Sequence, residues 1–169
     1  MMTAIKFAKV RPTAIIPTKR DEDAGFDIYA NFEEDFRIIP PHETRIIPSG
    51  IACACDTDYC LILKERGSTG TKGMAQRCGV IDSGYRGEIG IPITNTTQST
   101  IVISKTDSIE DIFGEIAPSN VIIYPYEKAI AQAILHKVPD VVTMNCDYEE
   151  VKNTASERGT GKLGSTDAE

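Results

Sequence analysis

Gly79-Val-Ile-Asp-Ser-Gly-Tyr-Arg-Gly-Glu-Ile-Gly-Ile-Pro-Ile-Thr-Asn95 is the stretch from which the fold is read. Its second half sets Ile89, Ile91 and Ile93 two residues apart, the period of a strand with one buried face. Its first half predicts a short strand, a turn at Asp82-Ser83-Gly84 and a return strand. Pro92 lacks the N–H that a ladder uses, which predicts a sheet edge or a bulge for this strand. The turn carries a carboxylate, Asp82, and an aromatic ring, Tyr85, three residues apart. An ordinary hairpin tip accounts for such a pair, and so does a base beside a platform for a ring.

Working outward, similar short apolar runs recur between turn residues. Ile5, Phe7 and Val10 form the first, followed by Arg45-Ile-Ile-Pro, Leu61-Ile-Leu-Lys, Ile101 with Ile103, Val121-Ile-Ile-Tyr, and Ala129 to Leu135. Many short strands with frequent Gly and Pro predict an all-β sandwich or barrel. One segment has helical spacing instead: Ile109, Ile112, Phe113 and Ile116 share one face. Asp107 or Ser108 is its expected cap, Pro118 its expected stop, and Gly114 weakens it from within. From Tyr148 onward the chain is polar and glycine-containing, too poor in apolar groups to order itself by burial. The expected organisation is therefore one β domain over 1–148 and a flexible C-terminal arm over 149–169.

Composition narrows the function classes. The 169 residues suit one domain with a real core. The formal net charge of −7 speaks against coating nucleic acid, which needs a basic face, but leaves room for one small polyanion held by a few Arg and N–H groups. No eighteen-residue apolar run is present and the first ten residues do not resemble a secretory signal, so neither a membrane nor export is expected and the expected location is cytoplasmic. The odd set Cys53, Cys55, Cys60, Cys78 and Cys146 fits reduced thiols. Cys53, Cys55 and Cys60 lack a further Cys pair or a nearby His to complete a zinc site, and are read as small buried hydrophobes.

Two segments combine Arg, Gly and hydroxyl groups, the set that suits a phosphate: glycines admit a close approach, hydroxyls donate, and Arg makes forked, charge-assisted contacts. They are Arg66-Gly-Ser-Thr-Gly-Thr-Lys-Gly-Met-Ala75 and Arg158-Gly-Thr-Gly-Lys-Leu-Gly-Ser-Thr166. A helix starting at the first would add free N–H groups. Taken alone, the first reads as a polar surface turn and the second as a plain disordered tail.

In order along the chain, five segments resemble the motifs of the trimeric dUTPase family. Asp23-Ala-Gly-Phe-Asp-Ile-Tyr-Ala is similar to the first, Arg66-Gly-Ser to the second, Gly79-Val-Ile-Asp-Ser-Gly-Tyr-Arg-Gly-Glu to the third and most specific, Ala129-Ile-Ala-Gln-Ala-Ile to the fourth, and Arg158 to Thr166 to the fifth. The resemblance implies a β-barrel-like jelly roll, a homotrimer, and hydrolysis of dUTP to dUMP and pyrophosphate, limiting uracil in DNA. Each active site would lie between subunits and be completed by a C-terminal arm. By the same resemblance Asp82 is the base that activates water, Tyr85 stacks on deoxyribose, and Gly79, Val80 and Ile81 read uracil with help from Gln76. Arg66, Gly67, Ser68, Gln132 and Arg158 face the phosphates, and Leu163, Gly164, Ser165 and Thr166 close over the substrate. Asp27 holds Mg²⁺ indirectly, through water.

Three departures from the family pattern stand out. Gly67 replaces a serine, Leu163 replaces a phenylalanine that covers the base, and the stretch 98–121 is long, as in phage-type members. That stretch is an extra surface excursion or a surface for a regulatory protein partner. A dCTP deaminase-type enzyme and a dUTP-sensing regulator remain the alternatives at this point.

Overall fold

The computed structural model describes residues 4–161 and resolves into two compact units, Met1–Pro139 and Asp140–Glu169. The first carries twelve strands: β1 (Ile5–Lys9), β2 (Gly25–Ile28), β3 (Phe36–Ile39), β4 (Thr44–Pro48), β5 (Ile51–Cys55), β6 (Tyr59–Lys64), β7 (Met74–Gln76), β8 (Val80–Ile81), β9 (Gly90–Asn95), β10 (Thr100–Ser104), β11 (Val121–Pro125) and β12 (Ala131–Lys137). They pair as β1-β5, β11-β10-β3, β2-β12-β6-β8 and β4-β9-β7. The all-β, jelly-roll expectation holds, although among the described residues the strands form four small sheets and no closed barrel.

Alternation explains the core. Ile89, Ile91 and Ile93 are fully buried, as are Ile47 opposite Ile91, Leu61 and Leu63 on β6, and Ile101 and Ile103 on β10. Each such side chain contributes roughly 1.5–3 kcal/mol by leaving water, so the inward set decides which strands meet. Cys53 and Cys60 lie in this interior, Cys55 is half-buried, and burial pushes the Cys53 and Cys55 thiols above their ordinary range.

Three local expectations are corrected. Residues 79–95 do not form a hairpin: β8 pairs with β6, while β9 pairs with β4 and β7 in another sheet. Only the turn survives, with Tyr85 N–H donating to Asp82 O at 3.0 Å. Pro92 sits in a central strand, opposite Ile46. Its carbonyl accepts from Arg77 N–H at 3.0 Å, and the Gln76 side-chain amide donates to the Arg77 carbonyl at 2.8 Å, in place of the N–H that Pro92 lacks. Finally, much of 98–121 is not an excursion, because β10 is the middle strand of its sheet. It runs parallel to β11, and a parallel pair needs a crossover of a dozen or more residues. The segment 105–120 is that crossover.

Two short helices lie among the described residues of this unit: α1 (Gly67–Gly70), and α2 (Ile109–Phe113) in the crossover. Ser108 caps α2, its side chain accepting from Asp111 N–H. Gly114, at φ +63°, ends it well before Pro118, and Ile116 is left exposed. In the second unit α3 (Tyr148–Lys152) buries no residue and carries a Lys152–Glu149 pair. Among the described residues no helix is long and apolar enough to cross a membrane.

Candidate active site

β2 and β12 lie side by side with Asp27 opposite Gln132, and β12 pairs Gln132 with Lys64 at the end of β6. The chain leaving β6 reaches Arg66, the residue before α1. Its backbone N–H donates to Thr69 Oγ1 at 2.9 Å, and Thr69 N–H donates back to its carbonyl. This closed turn, anchored by the fully buried Thr69, fixes the start of the Arg66 side chain. The guanidinium then meets Asp27 in a fork, Nε to Oδ1 at 2.9 Å and Nη2 to Oδ2 at 3.3 Å. Nη1 reaches Ala129 O and Ser68 Oγ, both at 3.4 Å, and Ser68 Oγ lies 3.3 Å from the buried Tyr124 hydroxyl. Gln132 Nε2 donates to Glu65 O at 2.7 Å. The Glu65 carboxyl accepts from Gln76 N–H and is held below the usual carboxylate range, chiefly by backbone hydrogen bonds.

Of these, Asp27, Arg66, Ser68 and Gln132 line a hollow of about 770 Å³ together with Thr18, Lys19, Arg20, Glu22, Asp23, Gly25 and Gly67. Asp27, Arg66, Gly67, Ser68 and Gln132 are thus brought together in one hollow. A Cβ on Gly67 would meet nothing within 4 Å, so the serine missing here would have had room. The charged run Lys19-Arg20-Asp21-Glu22-Asp23 escaped that reading because charge runs usually mark a solvated loop. Its signal was proximity to Asp27.

The remaining candidates lie elsewhere. Val80, Ile81, Asp82 and Tyr85 line a separate hollow of about 210 Å³ beside Gly90. Asp82 is exposed, and the Tyr85 hydroxyl donates to Glu88 O at 2.9 Å. Gly79 stands at the entry of β8, its carbonyl accepting from Leu63 N–H at 2.7 Å. Gln76 lines neither hollow, its amide being engaged by Arg77 O. Register gives the spacing: Gln132 stands level with Lys64 on β6, whereas Ile81 stands level with Leu61 on the far side of β6. With about 3.3 Å per residue and about 4.8 Å per strand, Asp82 is on the order of 16 Å from Gln132. Arg158 lies in the second unit, exposed, with Nε donating to Gly161 O at 3.3 Å. Leu163, Gly164, Ser165 and Thr166 lie outside the described residues.

This geometry coincides with a family match. The dUTPase family model covers residues 11–112, the part of the chain that carries Asp27, Arg66 and Asp82. The chain belongs to the dUTPase family. A deoxyuridine 5′-triphosphate nucleotidohydrolase of Clostridioides difficile is 31% identical over 98% of this chain and 99% of its own. One of Nautilia profundicola is 31% identical over 96% and 97%. Among solved structures, the dUTPase of Staphylococcus bacteriophage 80alpha, described with dUPNHPP, superposes with a TM-score of 0.69 at 23% identity, covering 96% of this chain and 97% of that one. At that identity the superposition speaks for the dUTPase fold, and the family assignment rests on the family model and the first two relatives.

Magnesium fits the donor set only in one way. Among the described residues no group of three His, Cys, Asp or Glu is arranged to hold a metal. Mg²⁺ that binds phosphate oxygens and keeps its waters needs only one or two carboxylates. Asp27, about a third exposed, uses one acceptor site on each oxygen for Arg66 and retains others for water.

Proposed function

We propose that this dUTP diphosphatase cuts dUTP to dUMP and pyrophosphate at a site closed between copies of the chain in a homotrimer. The observation that carries this reading is the division of the family's residues into two hollows. Arg66, Ser68 and Gln132 gather in one with Asp27, and Asp82 and Tyr85 gather in the other, on the order of 16 Å away by strand register. A base must come within about 3 Å of the proton it takes, directly or through one water. One chain therefore supplies the phosphate cradle and a neighbour supplies the base.

In this reading the triphosphate enters the larger hollow. Arg66 turns its fork from Asp27 toward phosphate oxygens, a charge-assisted contact of about 1.5–3 kcal/mol. Ser68 and Gln132 donate beside it. Asp27 holds the waters of Mg²⁺, which supplies charge neutralisation on the phosphate oxygens. Asp82 accepts the proton of the water aimed at the α-phosphorus, and Tyr85, held by Glu88 O, offers a rigid face to deoxyribose. The strand entry at Gly79–Ile81 offers backbone donors and acceptors for uracil, a polar pattern that cytosine would leave mispaired. The arm 149–169 brings Arg158 and Leu163 over the substrate and excludes water.

Product analysis across the deoxynucleoside triphosphates, with and without chelator, tests the activity. Pyrophosphate and dUMP from dUTP, slowed by removal of Mg²⁺, are expected. Orthophosphate as the first product, or equal rates on dTTP, would sink the proposal, and ammonia from dCTP would move the protein to the deaminase-type alternative. Light scattering tests the assembly: three times the 18.5 kDa of one chain is expected. A fully active sample at the single-chain mass refutes the shared site.

A further inference from the structure

We propose that Arg20 is a second triphosphate-binding cation of this site, held on Asp23 until phosphate takes the carboxylate's place. The inference rests on reading the larger hollow as the triphosphate cradle. Asp27 N–H donates to Thr18 O at 2.9 Å, and these two residues form an isolated antiparallel bridge. Residues 19–24 are therefore the loop of a tight reversal whose return strand, β2, carries Asp27. Lys19 and Arg20 start one and two residues beyond the partner of Asp27, and both line the hollow with Arg66 and Gln132.

The two cations are not equivalent. Lys19 Nζ donates to Arg20 O at 3.2 Å and Asp21 O at 3.5 Å, and lies 5.9 Å from the centre of the Phe26 ring, so it braces the loop. Arg20 instead folds back in a fork, with Nε to Asp23 Oδ2 and Nη2 to Asp23 Oδ1, both at 2.9 Å. Its side chain is 88% exposed, against 32% for Arg66. A solvated pair of this kind is worth little and exchanges partners at small cost. Arg20 keeps the Asp23 carboxyl below the usual carboxylate range, so the pair stays ionised at neutral pH.

Charge gives the exchange its direction. The lining cations Lys19, Arg20 and Arg66 are matched by Glu22, Asp23 and Asp27, so the lining is neutral by residue count. A polyanion is attracted only when cations turn from their carboxylates toward it. Phosphate oxygens accept the same forked contact as a carboxylate and carry more charge, so they win the guanidinium once within reach.

Calorimetry on the full chain tests this with inorganic tripolyphosphate and, separately, deoxyuridine. Arg20→Gln should weaken tripolyphosphate about 5–10-fold, less than a buried charge-assisted contact gives because the group is solvated, and leave deoxyuridine unchanged. Asp23→Asn should tighten tripolyphosphate a few-fold, and that gain should vanish in the double variant. Unchanged tripolyphosphate affinity in Arg20→Gln overturns the proposal. So does weakening by Asp23→Asn that matches Arg20→Gln and is not deepened in the double variant, the pattern of a pair that only braces its loop. Arg66→Gln separates the two levels: if it weakens tripolyphosphate, the cradle stands whatever Arg20 does, and if it binds as the unaltered chain does, the cradle and the inference fall together.

Discussion

Asp82→Asn is expected to bind an unhydrolysable dUTP analogue as the unaltered chain does and to lose turnover by about 10²–10⁴-fold, the usual cost of removing a general base. The side chain keeps its size, and its backbone carbonyl still accepts from Tyr85 N–H to hold the turn. What goes is the ability to take a proton. Asp82 is exposed and outside the main ion pairs, so the substitution leaves no buried group without a partner and the fold should be indifferent to it. Single-turnover kinetics with the analogue's affinity measured in parallel would check the split. A variant with near-normal kcat would place the base elsewhere. A variant that no longer binds the analogue would show that Asp82 holds substrate rather than water.

Gly79→Ala is expected to damage both stability and catalysis, for a steric reason. A Cβ at this position would lie 2.6 Å from the Leu63 carbonyl oxygen, a backbone atom of the central strand β6. The same glycine's carbonyl accepts from Leu63 N–H at 2.7 Å, so β8 cannot retreat without losing the ladder that seats it. The preceding residue, Cys78, already holds φ at +48°, leaving the connection little freedom to compensate. Overpacking of this kind costs about 1–3 kcal/mol, or about 2–4 °C in Tm for each kcal/mol at this chain length. Because Val80, Ile81 and Asp82 follow directly, a displaced β8 should raise KM for dUTP and lower kcat together. Gly84→Ala is the control, since a Cβ there meets nothing within 4 Å. Its Tm and kinetics should stay near normal. Equal damage from both substitutions would show that turn flexibility, and not the Leu63 contact, governs this segment.

Most of the strands were legible because their signals are local. Ile89, Ile91 and Ile93 alternate in sequence and are buried together, and Leu61 with Leu63 and Ile101 with Ile103 follow the same rule. The turn after β6 was legible too. Arg66, Gly67 and Ser68 are contiguous, and their run of Arg, glycine and hydroxyl groups is visible without knowing any pairing. Ser108 as the cap of α2 was readable from the same kind of local pattern, though Gly114 ended the helix before the apolar spacing did.

Pairing was decided by contacts that are distant along the chain. Nothing near Asp82 tells that β8 joins β6 while β9 leaves for β4, since that choice depends on where Ile47 and Ile91 find each other. Pro92 read as an edge residue because its missing N–H is visible in sequence, whereas the Gln76 amide that serves the Arg77 carbonyl is not. The long stretch after Asn95 read as an excursion because only the parallel pairing of β10 with β11 makes a crossover necessary. Residue chemistry and strand period by themselves determined an all-β chain with an Arg-Gly-Ser turn and an Asp-Ser-Gly-Tyr turn. Tertiary structure alone decided that Lys19 and Arg20 join the first, through the Thr18–Asp27 bridge, and that strand register keeps the second apart from it. The reason is that propensity and alternation act over a few residues, while register is set by burial shared between strands far apart in the chain.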